Sequence, residues 1–206
     1  MNSLLEVVES FRISCQKEVL NEIHKKGVNI AIWKRKPSKN ILSYLDSIAR
    51  DKHFSLEIDS KDLKQMETIL PKSNTVSNLE FAKEIKKLSI IYENITNQKE
   101  HTIQITTVDK MQCPLFHVDF LAYRMMCTYT GPGTQWIPNS NADRSHLGCG
   151  RNNHLIQDFS LIRETENFDV ILMKGDLHPD DPKNGCIHKS PEVFLTPRVF
   201  LKIDAS

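Results

Sequence analysis

Along the first hundred residues apolar side chains recur at helical spacing. Leu4, Val8 and Phe11 repeat this way, and Val19, Leu20 and Ile23 extend the pattern less cleanly. A short strand, "VNIAIW", follows Gly27, and "NILSYLDSIAR" then puts Ile41, Leu45 and Ile48 on one helical face. "KDLKQMETIL" predicts a short helix stopped by Pro71. The strongest prediction is a helix over 78–97. Ser77 and Glu80 form a capping box there, and Phe81, Ile85, Leu88, Tyr92 and Ile95 form one core-facing stripe.

After residue 100 the period changes to two. "HTIQITTVD" alternates, "YRMMCTYT" is rich in strand formers and stops at Gly131-Pro132-Gly133, and "TQWIP" follows. "NFDVILMKG" reads as a buried strand, and "GCIHKSP" and "RVFLKID" complete the set. Alternation in "YRMMCTYT" places Tyr123, Met125, Cys127 and Tyr129 on one face and Arg124, Met126 and Thr128 on the other. Six or more short strands separated by Gly, Pro, Asn and Asp predict an α+β protein. Its N-terminal helices would pack on a C-terminal double-stranded β-helix, a jelly-roll or cupin-like barrel. The expected organisation is a single domain over 1–206, with 1–99 mainly helical and 100–206 forming the barrel. Between strands lies a long polar stretch, "NSNADRSHLGCGRNNH" (139–154), readable as a lid over the barrel mouth or as a solvated insert.

Composition narrows the function classes. With 39% hydrophobic and 26% charged residues the chain is globular, and a net charge of +1 offers no basic field for nucleic acid. No apolar run approaches the roughly 20 residues of a membrane span. Glu6 and Glu9 stand where a signal peptide would be basic and then apolar, so a cytoplasmic location is expected. The five cysteines, at 15, 113, 127, 149 and 186, are scattered without a C-x-x-C, which predicts reduced and mostly buried thiols rather than a disulfide framework.

Candidate chemistry starts from the His-x-Asp/Glu pattern. With 8 His and 26 acidic residues among 206, chance supplies about one such match. Two occur, and only one lies in a segment that can be extended. His178-Pro179-Asp180 is flanked by a second proline, Pro182, in a turn-rich stretch, which predicts a solvent-facing Asp180. His117 and Asp119 begin a strand-like run in which residues two apart share a face. They can approach one cation together, and His188 is the best third ligand. Two imidazoles and a carboxylate leave open positions on a metal, the arrangement of non-haem Fe(II) oxygenases. Ten residues past His188 stands Arg198, whose planar fork suits a carboxylate co-substrate.

The segment "KGD…GCIHKSP…PRVFLKID" resembles the last strands of 2-oxoglutarate oxygenases, in which an arginine follows the distal histidine at about this spacing. The wider set "IAIWKRK", "LSYL", "FHVD", "TYTGPGTQW" followed by Arg144, "MKGD", "IHKSP" and "RVFLKID" resembles an uncharacterised bacterial family, domain of unknown function eighteen-twenty-six, over roughly residues 27–206. The oxygenase resemblance implies Fe(II) on His117, Asp119 and His188, and 2-oxoglutarate on Arg198 and Tyr129. Arg124, Asp176 and Trp136 would stand behind the ligands. O₂ would then yield succinate, CO₂ and a hydroxylated small-molecule or protein substrate. One position departs from the pattern: many such enzymes carry Ser or Thr two residues after the arginine, where this chain has Phe200. Tyr129, Arg124 or Thr128 could supply the missing contact.

Two other functions share these residues. The first is a cupin-like protein that binds Zn or Ni without oxygenase activity. The second is a metal-free binder of a small acidic ligand. A rival zinc site could draw on His146, Cys149 and His154 with Cys186, although the spacing is irregular. A thiol at Cys186, two residues from His188, is oxidisable beside iron, which favours a shielded Cys186 or another metal.

Overall fold

The computed structural model describes residues 9–49, 54–73, 78–192 and 196–205. Chain order begins with β1 (Phe11–Ser14), a 3-10 turn (Lys17–His24), β2 (Ile30–Trp33), α1 (Lys39–Ala49), β3 (Ser55–Asp59) and the short α2 (Met66–Ile69). The long α3 (Leu79–Thr96) follows, then β4 (His101–Val108), β5 (Tyr123–Thr130), β6 (Gln135–Ile137) and α4 (Asn152–Leu155). The remaining strands are β7 (Arg163–Glu164), β8 (Val170–Lys174), β9 (Ile187–Lys189) and β10 (Arg198–Ala205). Seven strands form one sheet in the order β1-β2-β8-β5-β10-β4-β3, and three form a second in the order β7-β6-β9. All pairings are antiparallel except β1 with β2. The result is a mixed α/β structure dominated by its sheets.

The large sheet separates two cores. One contains Phe81, Ile85, Leu88 and Tyr92 of α3 with Tyr123, Met125, Cys127 and Tyr129 of β5 and Val199, Leu201 and Ile203 of β10. The other lies toward the small sheet and joins Met126, Ile171, Met173 and Phe200 to Trp136 and Cys186. Period-two alternation is the reason: β5 and β10 each send one residue parity to each core. A third cluster, Phe116, Ile137, Leu155, Ile156 and Ile187, ties the 139–154 stretch to the small sheet.

Most predicted elements are present, with informative exceptions. Phe11 belongs to β1 and not to a helix, and β1, β2 and β3 enter the large sheet, so the first hundred residues contribute strands as well as helices. Local spacing suggested a helix at Phe11, but pairing of Phe11 with Ile30 overrides it. Leu4, Val8 and Ser77 lie outside the described residues, as does the side chain of Ile48. Asn78 is the N-cap of α3, and its amide donates to the carbonyls of Glu67 and Leu70. The helix ends at Asn97, whose φ of 57° suits an αL cap. Among the thiols only Cys127 and Cys186 are buried; Cys15, Cys113 and Cys149 are exposed, contrary to expectation. All three stand in irregular segments between elements, outside the cores. No described helix is long and apolar enough to cross a membrane.

Candidate metal centre

His117 sits on a short extended segment that meets β9 through one antiparallel bridge. His117 and His188 exchange backbone hydrogen bonds of 3.0 Å in each direction. The segment is anchored by Asn152, whose side chain accepts from the Phe116 amide at 2.9 Å and donates to the Pro114 carbonyl at 3.2 Å. The polar stretch 139–154 therefore braces the site. Arg144 within it donates to Asn139 Oδ1 at 2.8 Å and also to the Gly185 carbonyl.

Both imidazoles are oriented by their own backbone. His117 Nδ1 lies 3.0 Å from the Leu115 carbonyl, and His188 Nδ1 lies 3.1 Å from the Cys186 carbonyl. A carbonyl only accepts, so each Nδ1 carries the proton and each Nε2 keeps its lone pair. Those two nitrogens face Asp119: His117 Nε2 is 3.8 Å from Oδ1 and His188 Nε2 is 3.4 Å from Oδ2. The ligand atoms of the three residues all lie within 4.8 Å of one another. Adjacent donors around one ion with bonds of about 2.1 Å stand roughly 3 Å apart, so a small contraction closes the set on a cation. Burial lowers the His188 pKa, with Asp119 opposing, which favours the neutral ring that a metal requires.

Asp119 is itself held. Arg124 Nη1 is 2.6 Å from its Oδ1, while Arg124 Nε and Nη2 each donate to Asp204 at 2.7 Å. Burial works against the Arg124 charge, but Asp204 and Asp119 outweigh it and its pKa is raised. Gly175 makes the close backbone approach here: a Cβ at that position would stand 2.6 Å from the Asp119 carbonyl. The neighbouring Asp176 amide donates to that same carbonyl at 2.9 Å.

Arg198 is 2% exposed and faces the same side of the sheet. Its Nη2 donates to Thr128 Oγ1 at 3.0 Å and to Thr134 Oγ1 at 2.7 Å, its Nε has no partner, and its guanidinium lies 4.6 Å from the centre of the Phe200 ring. Among the described residues no carboxylate pairs with it. Burial pushes its pKa down to about 10, with Glu164 opposing from a distance. Gly131, at φ +75°, lets the backbone pass so close that a Cβ would stand 2.8 Å from the Arg198 Cα. A cavity of about 300 Å³ joins the two centres, lined by His117, His188, Arg124, Thr134 and Arg198 among others.

Several expected placements change. Tyr129 is not beside the co-substrate position: it is fully buried among Phe81 and Phe168 on the helix side of the sheet. Its odd parity relative to Thr128 sends it there. Thr128, together with Thr134, contacts Arg198, and the Phe200 ring stacks on it. Asp176 does not touch either imidazole; its Oδ1 accepts from the Gly185 amide at 3.2 Å and braces the turn. Trp136 pairs across β6 with His188 but packs edge-on against Phe11, with centroids 5.3 Å apart, in the core between the sheets. Asp180 is exposed, and His178 is buried with Nε2 2.7 Å from the Tyr123 hydroxyl. The rival zinc set does not assemble. His146 and His154 rings stand 5.5 Å apart, Cys149 contacts the Arg151 carbonyl, and Cys186 is buried with a thiol pKa raised by desolvation. Among the described residues the one His/Cys/acid group placed for a metal is His117, Asp119 and His188. Thr134 and Asn152 were not singled out by the sequence reading. Thr134 lies within the quoted "TYTGPGTQW", but only the folded turn aims it at Arg198.

Solved structures share this architecture. The chain is similar to a dioxygenase for auxin oxidation from rice, with a TM-score of 0.50, 8% identity, and coverage of 86% of this chain and 73% of that one. It is similar as well to a prolyl 4-hydroxylase from Phytophthora capsici, with a TM-score of 0.50, 11% identity, and coverage of 93% and 63%. Likeness at such identities shows the fold, which is that of the jelly-roll oxygenases. No curated protein matches the sequence. A family model does match, over residues 14–204, and the chain accordingly belongs to the family described as protein of unknown function (DUF1826).

Proposed function

We propose that this chain is a non-haem oxygenase that uses Fe(II) and 2-oxoglutarate to hydroxylate a substrate. The observation that carries the reading is the pairing, in one cavity, of the His117-Asp119-His188 set with a buried guanidinium that has no carboxylate partner. A buried charge without a counter-ion is costly, and a ligand carboxylate arriving at Arg198 would relieve it. Two neutral nitrogens and one carboxylate on one side suit Fe(II) and leave its other positions free. Iron there would couple decarboxylation of 2-oxoglutarate by O₂, giving succinate and CO₂, to hydroxylation of the second substrate.

The protein residues then have separate tasks. His117, Asp119 and His188 hold the metal, with both rings fixed through Nδ1. Arg124 orients the Asp119 carboxylate. Arg198 takes the far carboxylate of the co-substrate, and the Thr134 hydroxyl, which accepts from Arg198, keeps its own proton to donate to that carboxylate. The Thr128 and Thr134 hydroxyls, both on Arg198, would supply the contact that a Ser or Thr at position 200 would otherwise give. Cys186 is 1% exposed, packs with Trp136 and Met173, and is not among the residues lining the cavity, which is compatible with iron in the site.

The test is an anaerobic titration of Fe(II) into metal-free protein with and without 2-oxoglutarate, following the visible charge-transfer band of the chelate. The band is expected only with all three components and is expected to vanish in His188→Ala. Tight metal binding with no band would move the function to a metal-binding protein without oxygenase activity. Co-substrate binding that survives His117→Ala without metal would point to a metal-free acid binder.

A further inference from the structure

Arg124 is shared between two carboxylates, and it treats them differently. On β5 it stands directly opposite Asp204 of β10 in the strand register. Its Nε and Nη2 donate to the two carboxylate oxygens of Asp204, each at 2.7 Å, so one whole edge of the planar group is taken. That leaves Nη1, which lies 2.6 Å from Asp119 Oδ1. Among the described residues Asp119 has no other Lys or Arg partner. Its Oδ2 faces His188 Nε2 at 3.4 Å, and that nitrogen carries a lone pair, because Nδ1 holds the proton against the Cys186 carbonyl. The two oxygens of Asp119 are therefore unlike. Oδ1 meets a fixed cation, and Oδ2 meets a lone pair that a metal would share.

The parts of this arrangement are held separately. The Asp176 amide donates to the Asp119 carbonyl at 2.9 Å and pins the backbone there. Asp204 has a second cation, Lys202, whose Nζ is 3.4 Å from its Oδ2. The side chains of Asp119, Arg124 and Asp204 are 12%, 17% and 18% exposed, so water and salt screen them little. In such surroundings an arginine favours a two-point grip on one carboxylate. With Asp204 uncharged, the better grip for Arg124 would be on both oxygens of Asp119, one of which the metal needs.

Resting on the proposed metal centre, we propose that Asp204 is a positioning residue for the metal. By taking the Nε edge of Arg124 it restricts that arginine to Asp119 Oδ1, so Asp119 offers the metal Oδ2 alone. One carboxylate oxygen and two imidazole nitrogens leave three positions open, enough for a two-point co-substrate and O₂. An Asp119 that closed on the metal with both oxygens would remove one of them. In this role Arg124 and Asp204 act through Asp119.

Zn(II) binding to the full chain tests this without turnover, read by calorimetry and by infrared difference spectra of zinc-loaded minus metal-free protein. A carboxylate held through one oxygen has widely split stretching bands, and one held through both has narrowly split bands. The native chain should show the wide splitting. Arg124→Gln frees Oδ1 and should narrow the splitting, with Zn(II) affinity no lower than native. Asp204→Asn should instead weaken Zn(II) about ten-fold, because Arg124 turns its fork onto Asp119. Arg124→Gln combined with Asp204→Asn should recover the affinity and keep the narrow splitting. The combination pairs two uncharged side chains, so it also controls for a single variant that folds poorly. Narrow splitting in the native chain, a splitting that Arg124→Gln leaves unchanged, or equal weakening in all these variants would overturn the proposal. Failure of the native chain to bind Zn(II) would overturn it together with the metal centre. The Fe(II) chelate band, measured separately, decides only the oxygenase reading. If that band is absent and Zn(II) still binds, the splitting and the opposite affinity changes decide the role of Asp204 by themselves.

Discussion

The two faces of the large sheet are built from the same strands and have opposite character. On the helix side, every second residue of β5 and β10 is buried against α3 or the core beside it, and the buried charge there, Arg35, has a carboxylate partner. Arg35 pairs with Glu84 and donates to the Phe168 carbonyl at 2.8 Å, and the Tyr92 hydroxyl donates to the Tyr123 carbonyl at 3.1 Å. On the cavity side Arg124, Thr128, Arg198 and Lys202 alternate in with Met126 and Phe200, and among the described residues Arg198 has no carboxylate partner and its Nε no partner at all. A buried charge with a counter-ion belongs to the fold. One without a counter-ion marks where a ligand completes the structure.

The contrast can be broken from either side. The largest effect is expected in Phe81→Ala, which opens a cavity beside Tyr44 and Tyr129 and should cost about 3–5 kcal/mol of stability in a denaturant titration. The folded fraction should still bind Fe(II). Asp119→Ala removes the one charged ligand and should weaken Fe(II) more than about 100-fold, beyond the effect of losing a supporting residue. Unchanged iron affinity would sink the ligand assignment.

Arg198→Met should do the reverse of Phe81→Ala. It replaces a buried unpaired charge with an apolar chain of similar reach, so the ligand-free protein should gain about 1–4 kcal/mol while 2-oxoglutarate binding is lost and metal binding is kept. Equal loss of metal and co-substrate would make Arg198 a fold residue instead. The smallest effect concerns His178, held by burial below the ordinary imidazole value of 6.5. The unfolded chain takes up a proton near 6.5 and the folded one resists it. This contribution is therefore absent as a penalty above 6.5, and stability declines as pH falls below it, by at most about 1.4 kcal/mol per pH unit. Subtracting the curve of His178→Gln from that of the native chain isolates this slope.

The sequence alone determined the parity of β5, the stripe on α3 and the shared face of His117 and Asp119, because each depends on a local period of 2 or 3.6 residues. It did not determine that Phe11 is in a strand, since that depends on pairing with Ile30. Nor did it show which residues behind the site matter. Parity separates Tyr129 from Thr128, but which of the two faces meets α3 and which meets Arg198 is a tertiary outcome; Tyr129 lies in the helix-side core, and Thr134 takes the place beside Arg198 because the Gly131-Pro132-Gly133 turn carries it there. The meeting of Asp119 with His188, 69 residues away in sequence, was decided by one backbone bridge between His117 and His188. Such contacts are set by how sheets stack and loops brace them, a long-range balance of burial and hydrogen bonding that no local pattern encodes.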